Sequence, residues 1–579
     1  MLKKLGMKAI FVLMGMGLFV GVNAQTNTVG NLSGTVRDPS GAAVPRADVE
    51  AKEEGTGATR TAHANDDGYY VFTSLPAGQY TVSTSPKGFK RTVATAVDLH
   101  VGENKVLNLD VQVGQVSETV TVTSDAAPVE TRSGDVSSLV SEKQITELPL
   151  NGRNYSQLAL MVPGVSPVTQ AGAGGAFTAG GTGLDGHVDM SVNGNGSNTN
   201  MWTVDGVNNM DVGSNATLLV FPSIDTIKEF RVVRNSFSAE YGQAQGAVIN
   251  LITKGGSNEF HGAAYEFMRS DKLNANDFFL NLAGKPKGKL KYNNFGGNVG
   301  GPIWKNKIFF LWSEEWRYED RGIALTGNVP TAAEKVGDFS GNLAGDPIPI
   351  DPFTCQLDAD GNVIPGSCLG YPGNKIPAGR LSPAGLALLS IYPDPNAGGH
   401  LWVDSPLQPI RTRQDSIRGD ANLTSKANLM VRYIREKWTH GNNTTNWGDV
   451  PFPTLSDDWS QPSNSLAIKL TNTLSSTAVN DFQFSRAGND IFINTASSST
   501  ALVADIASKF PTVFPHDANV PAVMWGPGGY DNIWHQAPWQ NHEDLFIWKD
   551  DFSKVMGTHE LKFGGLFSHN IKNEQAGGA

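Results

Sequence analysis

Gly246-Ala247-Val248-Ile249-Asn250-Leu251-Ile252-Thr253-Lys254-Gly255-Gly256 closes a segment, from about Asp125 to Ser257, that is rich in Gly, Asn, Ser and Val. Just past it the pattern changes. Ala263, Tyr265 and Phe267 alternate with Ala264, Glu266 and Met268. Further candidate strands run Ile308 to Trp316, Ala427 to Arg435, Leu466 to Leu474, Asn480 to Arg486, Leu545 to Phe552 and Leu561 to Phe567. Each is about ten residues or fewer, weakly alternating, with aromatics near the ends, as a tilted strand between lipid and a polar lumen requires. A soluble β-sandwich shares that alternation, so the fold turns on what the glycine-rich segment is.

Composition narrows the choice. A chain of 579 residues suggests about three to five domains or one very large one. Charged residues make up 17% and hydrophobic residues 39%, and the difference is filled by Gly (64), Asn, Ser and Thr. That excludes a coiled coil and a charge-driven disordered chain. With 45 basic against 56 acidic residues and no basic block, no nucleic-acid partner is expected. A polar, weakly charged chain rich in Gly and aromatics suits long β proteins, outer-membrane barrels among them.

Residues 1–24 read as a signal peptide. Lys3, Lys4 and Lys8 precede an apolar stretch from Ala9 to Val22, and Val22-Asn23-Ala24 offers a small-residue cleavage site. The apolar stretch is shorter than the about 20 residues a spanning helix needs. No later run of 18 apolar residues follows, so a membrane crossing would have to be a closed barrel. The two cysteines, Cys355 and Cys368, lack a nearby His to complete a metal site and are expected to pair in an oxidising compartment. Closing so small a loop is worth about 3 kcal/mol in the chain-entropy model.

Residues 25–114 read as a β-sandwich with short strands and frequent turns. Gly34-x-Val36-x-Asp38-x-x-Gly41, Gly68-x-Tyr70-x-Phe72 and Leu75-Pro76-x-Gly78-x-Tyr80 resemble the carboxypeptidase regulatory-like domain, a prealbumin-like sandwich without catalytic residues. The resemblance brings an association with carbohydrate-binding-like folds. Tyr70 and Phe72 are expected in its core, and no sugar platform can be assigned to it.

Residues 115–124 hold a lone β-prone strip. It is either a linker strand, or the sandwich's last strand, or a segment that pairs edge-on with a partner. Residues 125–257 follow. A short helix ends near Glu147, before Leu148-Pro149-Leu150-Asn151-Gly152-Arg153-Asn154-Tyr155. Ser191-Val192-Asn193-Gly194 and Trp202-Thr203-Val204-Asp205-Gly206-Val207 are strand-plus-turn units. Ile227 to Val233 is a strand, and Ala239-Glu240-Tyr241-Gly242 precedes the opening stretch. This order resembles the plug domain of TonB-dependent outer-membrane receptors. Leu148 to Tyr155 and Val204-Asp205-Gly206-Val207-Asn208-Asn209 resemble the Oar-like branch. The resemblance singles out Asn151, Gly152, Arg153, Asn154, Asp205, Gly206, Glu240, Tyr241 and Gly242 as plug-motif residues. It also places Glu118, Thr119, Val120, Thr121 and Val122 where the family keeps its TonB box.

Residues 258–579 are then the first part of a transmembrane antiparallel β-barrel. Asn294-Phe295-Gly296-Gly297-x-Val299-Gly300-Gly301-Pro302, and Tyr371-Pro372-Gly373-Asn374-x-Ile376-Pro377 through Arg380-Leu381-Ser382-Pro383, resemble Oar-like barrel segments. Arg321 to Ile410 would be an extracellular loop carrying the cysteines, with Ser382 capping a short helix that has Pro383 at its first position. On the order of eight strands are expected, against about 22 around a plugged lumen in barrels of this kind. A chain ending Gln575-Ala576-Gly577-Gly578-Ala579 is expected to be a fragment.

Enzyme chemistry is not legible. There is no H-E-x-x-H or G-x-S-x-G. Gly181-Thr182-Gly183-Leu184-Asp185-Gly186 fits G-x-G-x-x-G without a βαβ unit. Asp358-Ala359-Asp360-Gly361-Asn362 reads as a turn rather than a calcium loop. His535 and His542, among Trp534, Trp539 and Trp548, read as loop or interfacial residues. No metal or cofactor is expected, and a secreted metallopeptidase fails for want of a zinc-ligand set. The whole reads as a mostly β protein: sandwich, α+β plug, partial barrel. The resemblance implies a receptor in the outer membrane of a Gram-negative bacterium, with sandwich and TonB box on the periplasmic side. Its partners would be the TonB energy-transducing complex, outer-membrane lipid and an unidentified extracellular ligand: siderophore, vitamin, glycan or peptide. The rival reading is a non-transporting surface protein for adhesion, carbohydrate binding or assembly of secreted partners.

Overall fold

In the computed structural model the chain after Ser257 forms one antiparallel sheet of nine strands. They are His261–Ser270, Leu290–Trp304, Ile308–Gly322, Leu407–Thr424, Ala427–Asn443, Asp457–Ser475, Ala478–Thr495, Trp539–Met556 and His559–Ala576, called here the first to ninth strands of the wall. The structure describes residues 28–114, 119–123, 133–168, 188, 190–242, 244–322, 324–342, 348–444, 452–509, 529–533, 535, 537–557 and 559–576. The proposed signal peptide, Glu118, Gly181–Gly186 and Trp534 lie outside those residues. Each strand pairs with the next in sequence, and among the described residues the first and ninth do not meet.

One end of the wall has tight turns, such as those at 305–307, 425–426 and 476–477, and the other has long connections. Side chains alternate across it. On the fifth strand Arg432, Ile434, Glu436 and Trp438 face inward and are buried, while Val431, Tyr433, Arg435 and Lys437 face out. From the second strand on the strands have 15 to 19 residues, longer than the sequence suggested. The reason lies on the outer face. The register row Trp312, Ile417, Tyr433, Leu466 is apolar, and the next outward row toward the long loops is Glu314, Asp415, Arg435, Asn464. The apolar stretch therefore ends part-way along each strand, and only that part shows the alternation of a lipid-facing wall. Leu407–Thr424 escaped the sequence reading altogether, because Arg411, Arg413 and Asp415 on one face oppose Thr412, Gln414 and Ser416 on the other.

Inside the wall sits a mixed five-stranded sheet in the order Val136–Val140, Ile227–Asn235, Val248–Thr253, Met201–Val204, Val207–Asn208. All six residues of Val248–Thr253 are buried, which explains a near-continuous apolar run rather than alternation. The helix Glu142–Glu147 starts at a capping box. Ser141 Oγ accepts from Gln144 N, and the Gln144 side chain accepts from Ser141 N. Tyr155, Trp202 and Phe230 are the large core residues.

Residues 29–110 form the sandwich. One sheet contains Tyr69–Pro76, Val29–Arg37, Asn104–Val106 and Leu109–Asp110, and the other runs Thr59–His63, Asp48–Glu53, Gly78–Thr84, Arg91–Leu99. Tyr70 and Phe72 lie in its core with Leu32, Val49 and Val82. Beyond the long-loop end, segments from three connections share an apolar core that includes Val329, Ile391, Trp402, Phe452 and Ile506. This cap holds the helix Pro383–Leu389, which Ser382 caps by accepting from Gly385 N. It also carries the Cys355–Cys368 disulfide.

Candidate plug–wall interface and edge strand

The motif residues of the inner domain are spread around the wall. Asn151 Oδ1 accepts from Arg269 of the first strand at 3.1 Å, and the Gly152 carbonyl accepts from Tyr292 of the second strand at 3.3 Å. Arg153 pairs with Asp225 at 2.5 Å, and its guanidinium lies 4.9 Å and 4.1 Å from the Tyr265 and Phe267 rings of the first strand. Asn154 is buried and caps the following turn by accepting from Ser156 N. This stretch thus ties the inner domain to the start of the wall.

Asp205-Gly206 is the two-residue turn joining Met201–Val204 to Val207–Asn208, with both residues at positive φ (49° and 80°). Asp-Gly suits such a hairpin turn because Asp tolerates, and Gly freely adopts, that conformation. The Asp205 carboxylate accepts from Thr253 N at 2.9 Å and Thr253 Oγ1 at 2.8 Å. It also faces Arg432 Nε at 3.0 Å and Arg418 at 3.6 Å, on the fifth and fourth strands. Its carbonyl accepts from Gln483 of the seventh strand. Glu240 pairs with Lys562 of the ninth strand. Tyr241 is buried against Phe237, and Gly242 follows it in the loop.

Sequence reasoning missed the wall's own half of these contacts. Glu436 accepts from Phe221 N, Gln414 accepts from Ser223 N, and Glu543 accepts from Val212 N. Lys572 bridges Asp211 and Glu543 at 2.9 and 3.2 Å. A charged residue whose strand neighbours are aromatic or β-branched, as in Tyr433-Ile434-Arg435-Glu436, was the available signal. It fails because Arg435 and Glu436 are adjacent and the sequence does not say which faces in.

The strip at residues 119–123 is a strand, Thr119–Thr123, paired in parallel with Arg91–Leu99 through the register Arg91↔Thr119 to Thr95↔Thr123. It is the last strand of that sandwich sheet rather than a free linker. The sandwich docks on the inner domain nearby. The Glu229 carboxylate accepts from Val101 N at 2.6 Å and lies 2.7 Å from His100 Nδ1. Lys228 donates to the Ala77 carbonyl at 2.6 Å. The hydrogen bond to Glu229 holds His100 above the usual imidazole range against the opposing effect of burial. Burial pushes the Lys228 ammonium down.

The remaining candidates fall outside any site. The Asp358 carboxylate accepts from Asp360 N and Asn362 N in an exposed turn. His535 is buried 2.8 Å from Asp457, and His542 lies on the eighth strand 2.6 Å from Asp490. No cluster of three metal-ligating side chains occurs among the described residues.

A plugged, lipid-banded wall preceded by a sandwich is also what sequence comparison finds. Residues 252–579 match the outer membrane beta barrel domain, 128–248 the TonB-dependent receptor plug domain, and 31–113 the carboxypeptidase regulatory-like domain. The chain belongs to the TonB-dependent outer-membrane receptors, on their Oar-like branch. It is 27% identical over 304 residues to the TonB-dependent transporter Oar of Myxococcus xanthus, covering 50% of this chain and 26% of that protein. Among solved structures it resembles the outer membrane transporter YddB from Escherichia coli (TM-score 0.44, 12% identity, 75% of this chain and 48% of that one). It also resembles the siderophore receptor PirA from Acinetobacter baumannii (TM-score 0.41, 12% identity, 75% and 48%). The chain thus spans about a quarter of the curated relative. Membership places the receptor in the Gram-negative outer membrane. Its long loops and cap then face outward, and its tight turns and sandwich face the periplasm.

Proposed function

We propose that this receptor takes up an extracellular ligand with energy from the inner-membrane proton gradient, delivered by TonB through residues 118–122. The observation that carries the reading is the position of Thr119–Thr123. It is a strand at the end of its sheet, on the periplasmic side, a short stretch of chain before the plug. A partner strand added there gains main-chain hydrogen bonds without needing a side-chain code. Pulling on it loads the plug through its polar contacts with the wall, such as Asp205 with Arg432 and Glu240 with Lys562. The Gly255-Gly256 link suits the junction. A Cβ on Gly256 would stand 2.4 Å from the Phe310 carbonyl oxygen, so plug and wall meet there with no room for a side chain.

Deleting residues 118–122 from the full-length receptor should abolish energised uptake and leave ligand binding at the cell surface intact. Unchanged uptake removes the mechanism. The non-transporting alternative draws on the cap, where Phe353, Leu357 and Leu369 are exposed around the disulfide. It predicts that surface binding is the whole activity and that loss of TonB changes nothing.

A further inference from the structure

The sandwich touches the wall as well as the plug. Thr28, at its start, accepts through Oγ1 from Lys469 Nζ of the sixth strand at 3.0 Å, and Asn31 Nδ2 donates to Glu560 of the ninth at 3.2 Å. Asn258 N, just before the first strand, donates to the Gly55 carbonyl at 2.8 Å. A Cβ on Gly57 would stand 2.8 Å from Asn306 Oδ1, in the tight turn between the second and third strands. Tyr69–Pro76 lies against the seventh and eighth strands, where the Ser74 side chain hydrogen-bonds Asp481. With Lys228 and Glu229 of the plug added, one domain is tied to plug and wall at once, on the periplasmic side.

These contacts are polar and lie around a hollow. Among the described residues, the buried apolar cluster of the sandwich runs from Leu32 to Val111 and takes in no residue of plug or wall. Between the three parts is a cavity of about 660 Å³. Glu53 and Arg60 of the sandwich line it, with Asp205 and Lys228 of the plug and Arg418 and Lys469 of the wall. Domains of one chain move relative to each other unless their interface is large and apolar, and this one is neither packed through nor apolar.

We propose that the sandwich is a releasable clamp: docked, it holds the plug in the wall, and its undocking is the first displacement in opening. The proposal rests on the TonB reading above and adds the regulation of the same plug. Two observations set the order. Thr119–Thr123 is a strand of the sandwich's own sheet, in register with Arg91 to Thr95. A pull on it therefore loads the sandwich directly, and the plug only through the chain that follows. The second observation is that the Asp205 carboxylate, 3.0 Å from Arg432 Nε and 3.6 Å from Arg418, borders the cavity. Undocking admits periplasmic water there, and opposite charges attract less as their surroundings become aqueous. Release of the clamp thus loosens the fastening between plug and wall.

The test pulls on the full-length receptor in a lipid bilayer with optical tweezers, through a handle clicked to an azide-bearing residue at position 121, where Thr121 is exposed. Neither TonB nor a ligand is needed. The wild type should give two ordered events: a short step as the sandwich undocks, then extension of the plug at higher force. Gly55→Cys with Asn258→Cys joins sandwich to wall, since their main-chain hydrogen bond brings the two Cα atoms within the span of a disulfide. Oxidised, this variant should lose the first event and raise the force at which the plug yields. Reductant should restore both, with each single-cysteine variant as its control, and a bis-maleimide joins the pair if the disulfide does not close. Thr28→Val with Glu560→Ala, which removes two of the wall contacts, should lower the force of the first event. The clamp is overturned if the plug extends before the sandwich releases, if no separate release occurs, or if the oxidised link leaves the plug's yield force unchanged. A second arm measures binding of TonB's periplasmic domain to wild type and to the 118–122 deletion. Equal binding to both, with the two ordered events intact, removes the TonB reading alone. Binding that needs residues 118–122, without a release event, removes the clamp alone.

Discussion

The carboxylate of Asp205 on the plug lies 3.0 Å from Nε of Arg432 on the fifth strand, with both side chains closed off from solvent. Removing one partner of such a pair leaves an uncompensated buried charge, at a typical cost of about 3–5 kcal/mol, whereas removing both charges is far milder. Asn at position 205 tolerates the positive φ and keeps an acceptor for Thr253 N, so Asp205→Asn isolates the charge. Asp205→Asn should lower the resistance of the plug to urea, and Arg432→Met added to it should restore part of the loss. Amide exchange of Val248–Thr253 reports the plug directly. Equal protection in wild type and Asp205→Asn would contradict the arrangement.

The contact between sandwich and plug should depend on pH. His100 faces Glu229 across the interface and Glu103 and Lys105 on its own domain, and its pKa is raised in the docked state. A raised pKa means the contribution is complete below the free imidazole's value, about 6.5, and fades as pH rises through the higher docked value. Release of the sandwich, followed by limited proteolysis of the sandwich–plug connection, should increase from pH 6 to pH 8.5. His100→Asn should flatten that dependence. Glu229→Ala should release the sandwich at every pH, since it also removes the acceptor for Val101 N, worth about 1.5–3 kcal/mol as a charged hydrogen bond. A pH profile that His100→Asn leaves unaltered would refute the assignment.

How much of this was legible in the sequence depended on whether one residue type carried one meaning. Ile227 to Val233 announced a strand that the structure extends to Asn235, and Asp205-Gly206 announced a turn because little else fits two successive positive φ values. Leu407–Thr424 announced nothing. Its outer face rises past the lipid band and its inner face meets a polar plug, so neither face is apolar enough to set a period. The same cause hid the wall's share of the interface. Glu436 and Arg435 are chemically alike in what they say about burial, and only the register shows that one grips Phe221 N while the other points out. The strip at 119–123 was ambiguous for another reason. A β-prone pentamer states that it will pair but not with what, and its parallel partner, Arg91–Leu99, lies about 28 positions away.

Because the strip is paired with the sandwich, a partner that takes it must either add to its open side or displace it. Val93 and Thr121 are register partners in that pair. Val93→Cys with Thr121→Cys, oxidised in the full-length receptor, should hold the strip in place. If displacement precedes energised uptake, uptake should fall to the level of the 118–122 deletion and return on adding reductant, with ligand binding constant throughout. The Cys355–Cys368 disulfide sits in the outer cap, so each single-cysteine variant serves as the control for its reduction. Full uptake by the locked form would mean that the open side of the strand suffices.

The outer face makes a sharper claim about where the membrane ends. Phe484 lies within the apolar part of the seventh strand, in a cluster with Trp548 at 5.3 Å, while Arg435 lies in the charged row above it. An arginine on the lipid face of a barrel costs about 2–4 kcal/mol at the bilayer midplane and about 0–1 kcal/mol near the interface. Phe484→Arg should therefore destabilise the full-length barrel in lipid vesicles by about that larger amount. The reverse change, Arg435→Phe, should be close to neutral, since that position already lies outside the hydrocarbon. Denaturant unfolding followed by tryptophan fluorescence separates the two. A stabilisation by Arg435→Phe as large as the cost of Phe484→Arg would mean that the charged row, with Glu314, Asp415 and Arg435, lies inside the hydrocarbon after all, and the long strands would then have to span the bilayer by tilting further rather than by standing above it.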